Sequence, residues 1–225
     1  MPDAAAPLDP KTGQPWYPDD VWQRLRLSSK SHWDVPVNVD GKVLHVLASH
    51  PTPPAFDGPE DRNGRRNHDE IRFWADYVSN SQDDKHGGWM KDDSGRQGGI
   101  AKNEPFVVLG DLNADPVDGG SHQHAIRQLL DHPRMNSAFV PQSDGGAAAA
   151  KRQGKANVDQ QGDPAYDTAD FSDRVVGNLR VDYVLPSREL KVITGAVVWP
   201  QKDEPLADVI DCSDHRMVWI DIHMP

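Results

Sequence analysis

Phe106-Val107-Val108-Leu109-Gly110-Asp111-Leu112-Asn113 reads as a buried apolar strand ending in an acid and an amide two residues apart. The strand opens into Ala114-Asp115-Pro116, a turn-forming sequence. Alternation along a strand points residues i and i+2 to the same side, so Asp111 and Asn113 are expected to face one site. A strand end holds such groups on rigid backbone, which suits metal and phosphate chemistry. The same tetrapeptide also makes a good turn, and by itself it leaves both readings open.

Two later segments bear on the choice: Arg180-Val181-Asp182-Tyr183 and Ser213-Asp214-His215. Taken singly, the second also fits a helix cap, Asp182 the solvent face of an edge strand, and His50 a structural loop residue before two prolines pairs. Together and in this order they resemble the endonuclease/exonuclease/phosphatase family. That group includes deoxyribonuclease-like nucleases, neutral sphingomyelinases and inositol polyphosphate phosphatases. Ser49-His50, after Val43-Leu44-His45-Val46-Leu47-Ala48, is similar to the family's earlier active-site histidine. Ser49-His50-Pro51-Thr52-Pro53-Pro54 and Asn178-Leu179-Arg180-Val181-Asp182-Tyr183 are most similar to bacterial, often secreted, phosphatase or phytase-like members. The likeness runs from about Leu27 to the C-terminus.

The resemblance implies a fold and a set of roles. The fold is α/β, a four-layer sandwich of two mixed β-sheets with outer helices. The activity is metal-dependent hydrolysis of a phosphate ester, which needs an in-line water, a group to orient or deprotonate it, and cations on the equatorial oxygens. Asp111 is the expected base, Asn113 a donor to a phosphate oxygen, and His50 a contact to the phosphate or leaving oxygen. His215 is expected to touch the phosphate, with Asp182 beside it to raise its pKa and fix its tautomer. Asp214, with Asp111, is the expected oxygen ligand for Mg²⁺, or alternatively Ca²⁺ or Mn²⁺.

The family also opens with a strand carrying an Asn and another carrying a Glu, its principal metal ligand. Only about forty residues precede His50, and they show neither strand. The chain is therefore expected to be the C-terminal portion of such a domain, 27–225, behind a mobile lead-in at 1–26. Without the earlier strands, Val107, Leu109, Val184 or Val198 are expected to face solvent. A catalytically incomplete or purely binding version of the scaffold is the alternative function, and an endonuclease a second.

Charge and composition narrow the partners. Net charge is −11, from 24 Lys and Arg against 35 Asp and Glu. Nucleic-acid binders usually cluster basic residues, so a small phosphate ester is favoured over a long polyanion. Arg62, Arg65, Arg66 and His68, near a helix start, and Arg180 are candidate phosphate contacts; for the first four a solvated charge run, interspersed with Asp61, Asp69 and Glu70, is the favoured reading. One cysteine excludes an intramolecular disulfide framework. No apolar run approaches the ~20 residues of a membrane span, and no secretory signal opens the chain. An extracellular or periplasmic location is suggested by the resemblance alone; oligomeric state is not legible.

Competing chemistries lack their motifs. Arg216 follows Cys212 by four residues rather than six, so Cys212 is read as a packing residue; no Gly-x-Ser-x-Gly or His-Glu-x-x-His occurs. Local patterns predict a strand over 43–49 and a helix over 67–80 with Asn67 as its cap and Ile71, Trp74, Ala75 and Val78 on one face. Residues 81–104 read as a long loop, and 105–109 as the strand before the active turn. A short helix capped by Ser121 follows, then a loop or insertion over 141–170. Strands over 180–185, 191–199 and 217–222 finish the chain. In the last, Val218, Ile220 and Ile222 share a face.

Overall fold

The computed structural model describes residues 7–79 and 87–225. In chain order the elements are α1 (Asp19–Trp22), β1 (His32–Val39), β2 (Lys42–Ser49), α2 (Arg62–Ser79), β3 (Phe106–Asp111), α3 (Arg127–Leu130), α4 (Asp144–Gln153) and α5 (Ala156–Asp159). Then come β4 (Ala169–Asp170), β5 (Asn178–Leu179), β6 (Asp182–Pro186), β7 (Lys191–Val197) and β8 (Val218–His223). The fold is α/β with mixed sheets: a four-stranded sheet in the order β1-β2-β3-β6, and two-stranded sheets β4-β5 and β7-β8. Strands β2 and β3 are parallel, joined across α2; every other pair is antiparallel. No helix among the described residues is long and apolar enough to cross a membrane.

The core forms where α2 lies on the large sheet. Ile71, Trp74 and Val78 of α2 pack with Leu47 of β2, Phe106 and Val108 of β3, and Tyr183 and Leu185 of β6. Ala125, Ile126 and Leu129 around α3 join them, following the 121–130 pattern. Helix α2 begins at Arg62, five residues before the expected start, because Asp57 Oδ2 accepts the Asn63 N–H at 2.6 Å and takes over the capping role. Asn67 is therefore not a cap; it is wholly buried inside the helix. The expected helix end at Asn80, and residues 81–86 of the expected loop, lie outside the described residues, as do residues 1–6 of the lead-in.

Strand β1 is an addition that the sequence reading lacked. Asp40 and Gly41 have φ of 51° and 85°, the left-handed pair a two-residue hairpin requires, and Asn38 Oδ1 accepts the Gly41 N–H at 2.9 Å. Pro36 is tolerated because β1 is the sheet's edge. Alternation sends His32 and Asp34 toward α2, where Asp34 Oδ2 accepts the Tyr77 hydroxyl at 2.5 Å. Trp33, Val35, Val37 and Val39 point the other way, and Trp33 is 62% exposed. The expectation about solvent-facing residues is corrected accordingly: Val107 is buried, and Leu109, Val184 and Val198 are half-buried.

The 141–170 segment is not a loop. Ser143 accepts the Gly146 N–H at 3.0 Å and caps α4, whose alanines are the strongest helix formers. Cys212 is exposed rather than packed. In β8, Val218, Ile220 and Ile222 are half-buried on one face while Asp221 and His223 are exposed, as the alternation requires.

Candidate active site

Register across the large sheet creates the site. Asp111 at the end of β3 lies directly opposite Asp182 at the start of β6. Two carboxylates facing each other across neighbouring strands repel, so the pair needs positive charge nearby. His215 supplies it. Its Nδ1 donates to Asp182 Oδ2 at 2.9 Å, and its Nε2 lies 3.9 Å from Asp111 Oδ2. On the other side of Asp111, His50 Nε2 is 3.2 Å from the same Oδ2. The result is a row, Asp182–His215–Asp111–His50, in which one half-buried carboxylate stands between two imidazoles.

Each member is fixed by the backbone around it. Gly110 has φ of 137°, and a Cβ there would sit 2.1 Å from the Ser49 carbonyl oxygen, so only glycine lets β2 and β3 approach closely enough. Strand β3 stops at Asp111, so alternation does not carry on to Asn113. Instead Asn113 takes φ of 52° and donates its N–H to Asp111 Oδ1 at 2.9 Å, an Asx turn. The turn reading of Gly110-Asp111-Leu112-Asn113 therefore holds, and the same turn leaves Asp111 in the row. The Asn113 amide nitrogen is 3.1 Å from Pro51 O and 3.2 Å from Asp111 Oδ2. Without a ligand, its amide is engaged within the site.

His215 is placed by a segment the sequence reading missed. Thr168 Oγ1 accepts the N–H groups of Val181 and Asp182, at 3.0 and 2.9 Å, setting the start of β6. The Asp170 N–H donates to Asp214 O and the Arg216 N–H to Thr168 O, so residues 214–216 run alongside 168–170. Arg216 Nη1 donates to Ser213 O at 2.6 Å while its guanidinium stacks over Trp199. No linear pattern around Thr168 marks this role.

A second set of missed residues holds the His50 loop. One stripe of α2, spaced by four, three and four, reaches it at every turn. Asn63 Nδ2 donates to Ala55 O at 2.6 Å, and Asn67 Nδ2 to Thr52 O at 2.8 Å and Leu112 O at 2.9 Å. Glu70 Oε2 accepts the Thr52 N–H at 2.6 Å, and Trp74 Nε1 donates to Ser49 Oγ at 2.8 Å. Asn67 joins the loops of His50 and Asn113 directly. The signal was present in the buried polar positions of an otherwise apolar face, which a hydrophobic pattern discards.

The remaining expected residues are elsewhere. Asp214 is exposed and outside the group of Asp111, Asp182 and His215, whose ligand atoms lie within 4.8 Å of one another. Asp182, paired with Asp111 in the sheet register, is in that group instead. Arg66 donates to the Arg26 and Leu27 carbonyls, tying α2 to the lead-in. Arg180 stacks over Tyr183, with 4.7 Å from its guanidinium carbon to the ring centroid. Arg65 is half-buried, with Nε unpartnered.

Electrostatics set the protonation pattern. Burial, then the charge of Asp182, holds the Asp111 carboxyl above its ordinary 3.8. The hydrogen bond to Asp182 holds the His215 imidazole above 6.5, against a smaller opposing effect of burial. In metal-free protein His215 is therefore expected to titrate above pH 6.5, and Asp182→Asn to bring it down. An NMR titration of the imidazole would check this; a His215 midpoint unchanged by the substitution would contradict the assignment.

The sequence model of the endonuclease/exonuclease/phosphatase family matches residues 8–215, and the chain belongs to that family. Its fold is similar to that of the endonuclease/exonuclease/phosphatase from Beutenbergia cavernae DSM 12333, with 18% identity, a TM-score of 0.50, and coverage of 85% of this chain and 38% of that one. Further matches are a family protein from Leptotrichia buccalis C-1013-b (16% identity, TM-score 0.43, 85% and 52% covered) and sphingomyelinase C from Streptomyces griseocarneus (14%, 0.41, 84% and 52%). The chain thus spans less than two thirds of the length of each. No curated protein sequence matches it.

Proposed function

We propose that this chain carries the hydrolytic centre of a metal-dependent phosphoesterase acting on a small phosphate ester. The observation that carries the reading is the row Asp182–His215–Asp111–His50 at the joined ends of β3 and β6. Asp111 is the base: its carboxylate is half-buried, held by the Asn113 N–H on Oδ1, with Oδ2 between two imidazoles. It orients a water and takes its proton. His215, kept protonated by Asp182, presents Nε2 toward the same space and donates to a phosphoryl or leaving oxygen. His50, half-exposed, makes the corresponding contact from the other side.

The donor set fits a divalent cation. Two carboxylates brought together by register, one with a raised pKa, are relieved by a cation between them, and carboxylate oxygens suit Mg²⁺ or Mn²⁺. Asp111 and Asp182 would hold it, with water completing the shell, and when bound it would supply charge against the equatorial phosphoryl oxygens. The net charge of −11 favours a small ester over a nucleic acid.

The test is release of p-nitrophenol from p-nitrophenyl phosphate, a monoester, and from bis-p-nitrophenyl phosphate, a diester, with Mg²⁺, Mn²⁺ or Ca²⁺. Turnover on at least one is expected, reduced at least ~100-fold by Asp111→Asn, the scale of a lost general base. Absence of turnover with all three metals, or full activity in Asp111→Asn, would sink the reading.

A further inference from the structure

The row Asp182–His215–Asp111–His50 is most open to solvent at its His50 end. The His50 side chain is 51% exposed, against 16% for Asp111, 18% for Asp182 and 30% for His215. A substrate therefore meets the row at His50. The two carboxylates behind it repel a phosphate, so an approaching phosphoryl group needs positive charge at that end.

Two cationic side chains hydrogen-bond the backbone of the row. Arg216 Nη1 donates to His215 O at 3.2 Å, but Arg216 is buried, paired with Asp170 at 3.2 Å and stacked over Trp199. Its charge is neutralised inside the fold. Lys30 Nζ donates to His50 O at 3.1 Å, and Lys30 is exposed. Among the described residues this is the one contact of its ammonium, and no carboxylate pairs with it. An ammonium has three donors, so two remain for a ligand.

The segment that carries Lys30 is fixed against the His50 loop. Glu70, fully buried in α2, accepts the Ser29 N–H and hydroxyl on Oε1 and the Thr52 N–H on Oε2. One carboxylate thus clamps the residue before Lys30 and the residue two beyond His50. One turn earlier in α2, Arg66 Nε donates to Leu27 O at 3.2 Å. Lys30 leaves a stretch held at two successive turns of the helix.

We propose that Lys30 is a substrate-binding residue that takes a terminal phosphoryl oxygen and selects phosphate monoesters over diesters. The proposal rests on the hydrolytic reading of the row and names the ester it favours. Charge and oxygen count make the difference. A monoester carries about −1.5 to −2 charge near pH 7 and offers three terminal oxygens, whereas a diester carries a single charge and offers two. His215 and His50 reach two oxygens from the two sides of Asp111. The third, present only in the monoester, meets the Lys30 ammonium, a compact charge on a flexible stem.

Binding of inorganic phosphate in the presence of Mg²⁺, followed through the imidazole resonances of His50 and His215, is the first arm of the test. Lys30→Gln is expected to weaken it about tenfold, between the effect of an exposed ion pair and that of a hydrogen bond to a charged group, and Lys30→Arg to restore most of it. Kinetics supply the second arm. Lys30→Gln should raise KM for p-nitrophenyl phosphate about tenfold and change that for bis-p-nitrophenyl phosphate less than about threefold. Phosphate that leaves both imidazoles of the unmodified chain unmoved, or that binds Lys30→Gln with unchanged affinity, overturns the proposal. So does an equal loss on both esters, which would make Lys30 a prop of the His50 loop. Failure of the hydrolytic reading has a different signature: neither ester is turned over by the unmodified chain, while phosphate binding still depends on Lys30. That result would keep Lys30 as a phosphate contact and remove the hydrolysis alone.

Discussion

Replacing His215 by alanine is expected to lower turnover ~10²- to 10⁴-fold, the range for a positioned proton donor. The effect should fall on kcat more than on KM, because the imidazole meets charge that develops on the phosphoryl or leaving oxygen. A second signature separates this role from a structural one. His215 titrates above 6.5 in the folded chain because Asp182 accepts its proton. A raised histidine pKa contributes stability that is fully present below pH 6.5 and is lost as pH rises through the folded value. Unfolding of His215→Ala should therefore fall short of the unmodified chain most below pH 6.5, with the gap closing above the folded pKa. Activity within a few-fold of normal would remove His215 from the mechanism, whatever the stability curve showed.

Asp182 deserves the same logic with a smaller amplitude. Asp182→Asn keeps a side chain that can accept from Nδ1 but removes the charge that sustains the imidazolium. The alkaline limb of kcat/KM should then move toward lower pH. His215→Ala has no such limb to move, so the pair of variants distinguishes the donor from its orienting partner.

Some of this was legible in the sequence for identifiable reasons. Asp111, Asp182, His215 and His50, which the structure brings together, sit in short segments whose order carries the family resemblance that singled them out. The choice between Asp182 and Asp214 was not of that kind. It depends on Asp111 pairing with Asp182 across β3 and β6, a register that no local pattern carries. Strand β1 was hidden because its apolar residues, Trp33 to Val39, face away from the core formed with α2. Its hairpin was nevertheless written in Asp40-Gly41. Helix α4 was hidden for a different reason: Gly145, Gly146 and a run of alanines show no contrast between faces, and its only local mark is the Ser143 cap. In α2 the charged opening, Arg62 to Arg66, concealed the first turn. The loop-holding residues were lost because Asn67 and Glu70 are polar at core positions, where a hydrophobic reading registers only an interruption.

Glu70 provides the largest expected change in stability. It is fully buried, and three donors converge on it: the Ser29 N–H at 2.5 Å and hydroxyl at 2.8 Å on Oε1, and the Thr52 N–H at 2.6 Å on Oε2. Glu70→Ala removes the acceptor from all three and leaves a void in the core. Ser29 is exposed and its donors can turn to water, whereas a buried donor left without an acceptor costs about 1–3 kcal/mol, so a loss of ~2–3 kcal/mol is expected in urea unfolding. Glu70→Gln separates the two ends of the network. Its carbonyl can still accept from Ser29, but its NH₂ then faces the Thr52 N–H, donor against donor. That variant should lose less stability than the alanine, yet release the segment Ser49–Thr52 that carries His50. If the loop positions His50 for catalysis, Glu70→Gln lowers kcat under conditions where the chain is fully folded, and Asn67→Ala, which frees the same loop from Thr52 O and Leu112 O, does likewise. A Glu70→Gln chain that melts early but, while folded, turns over normally would assign the network to stability alone.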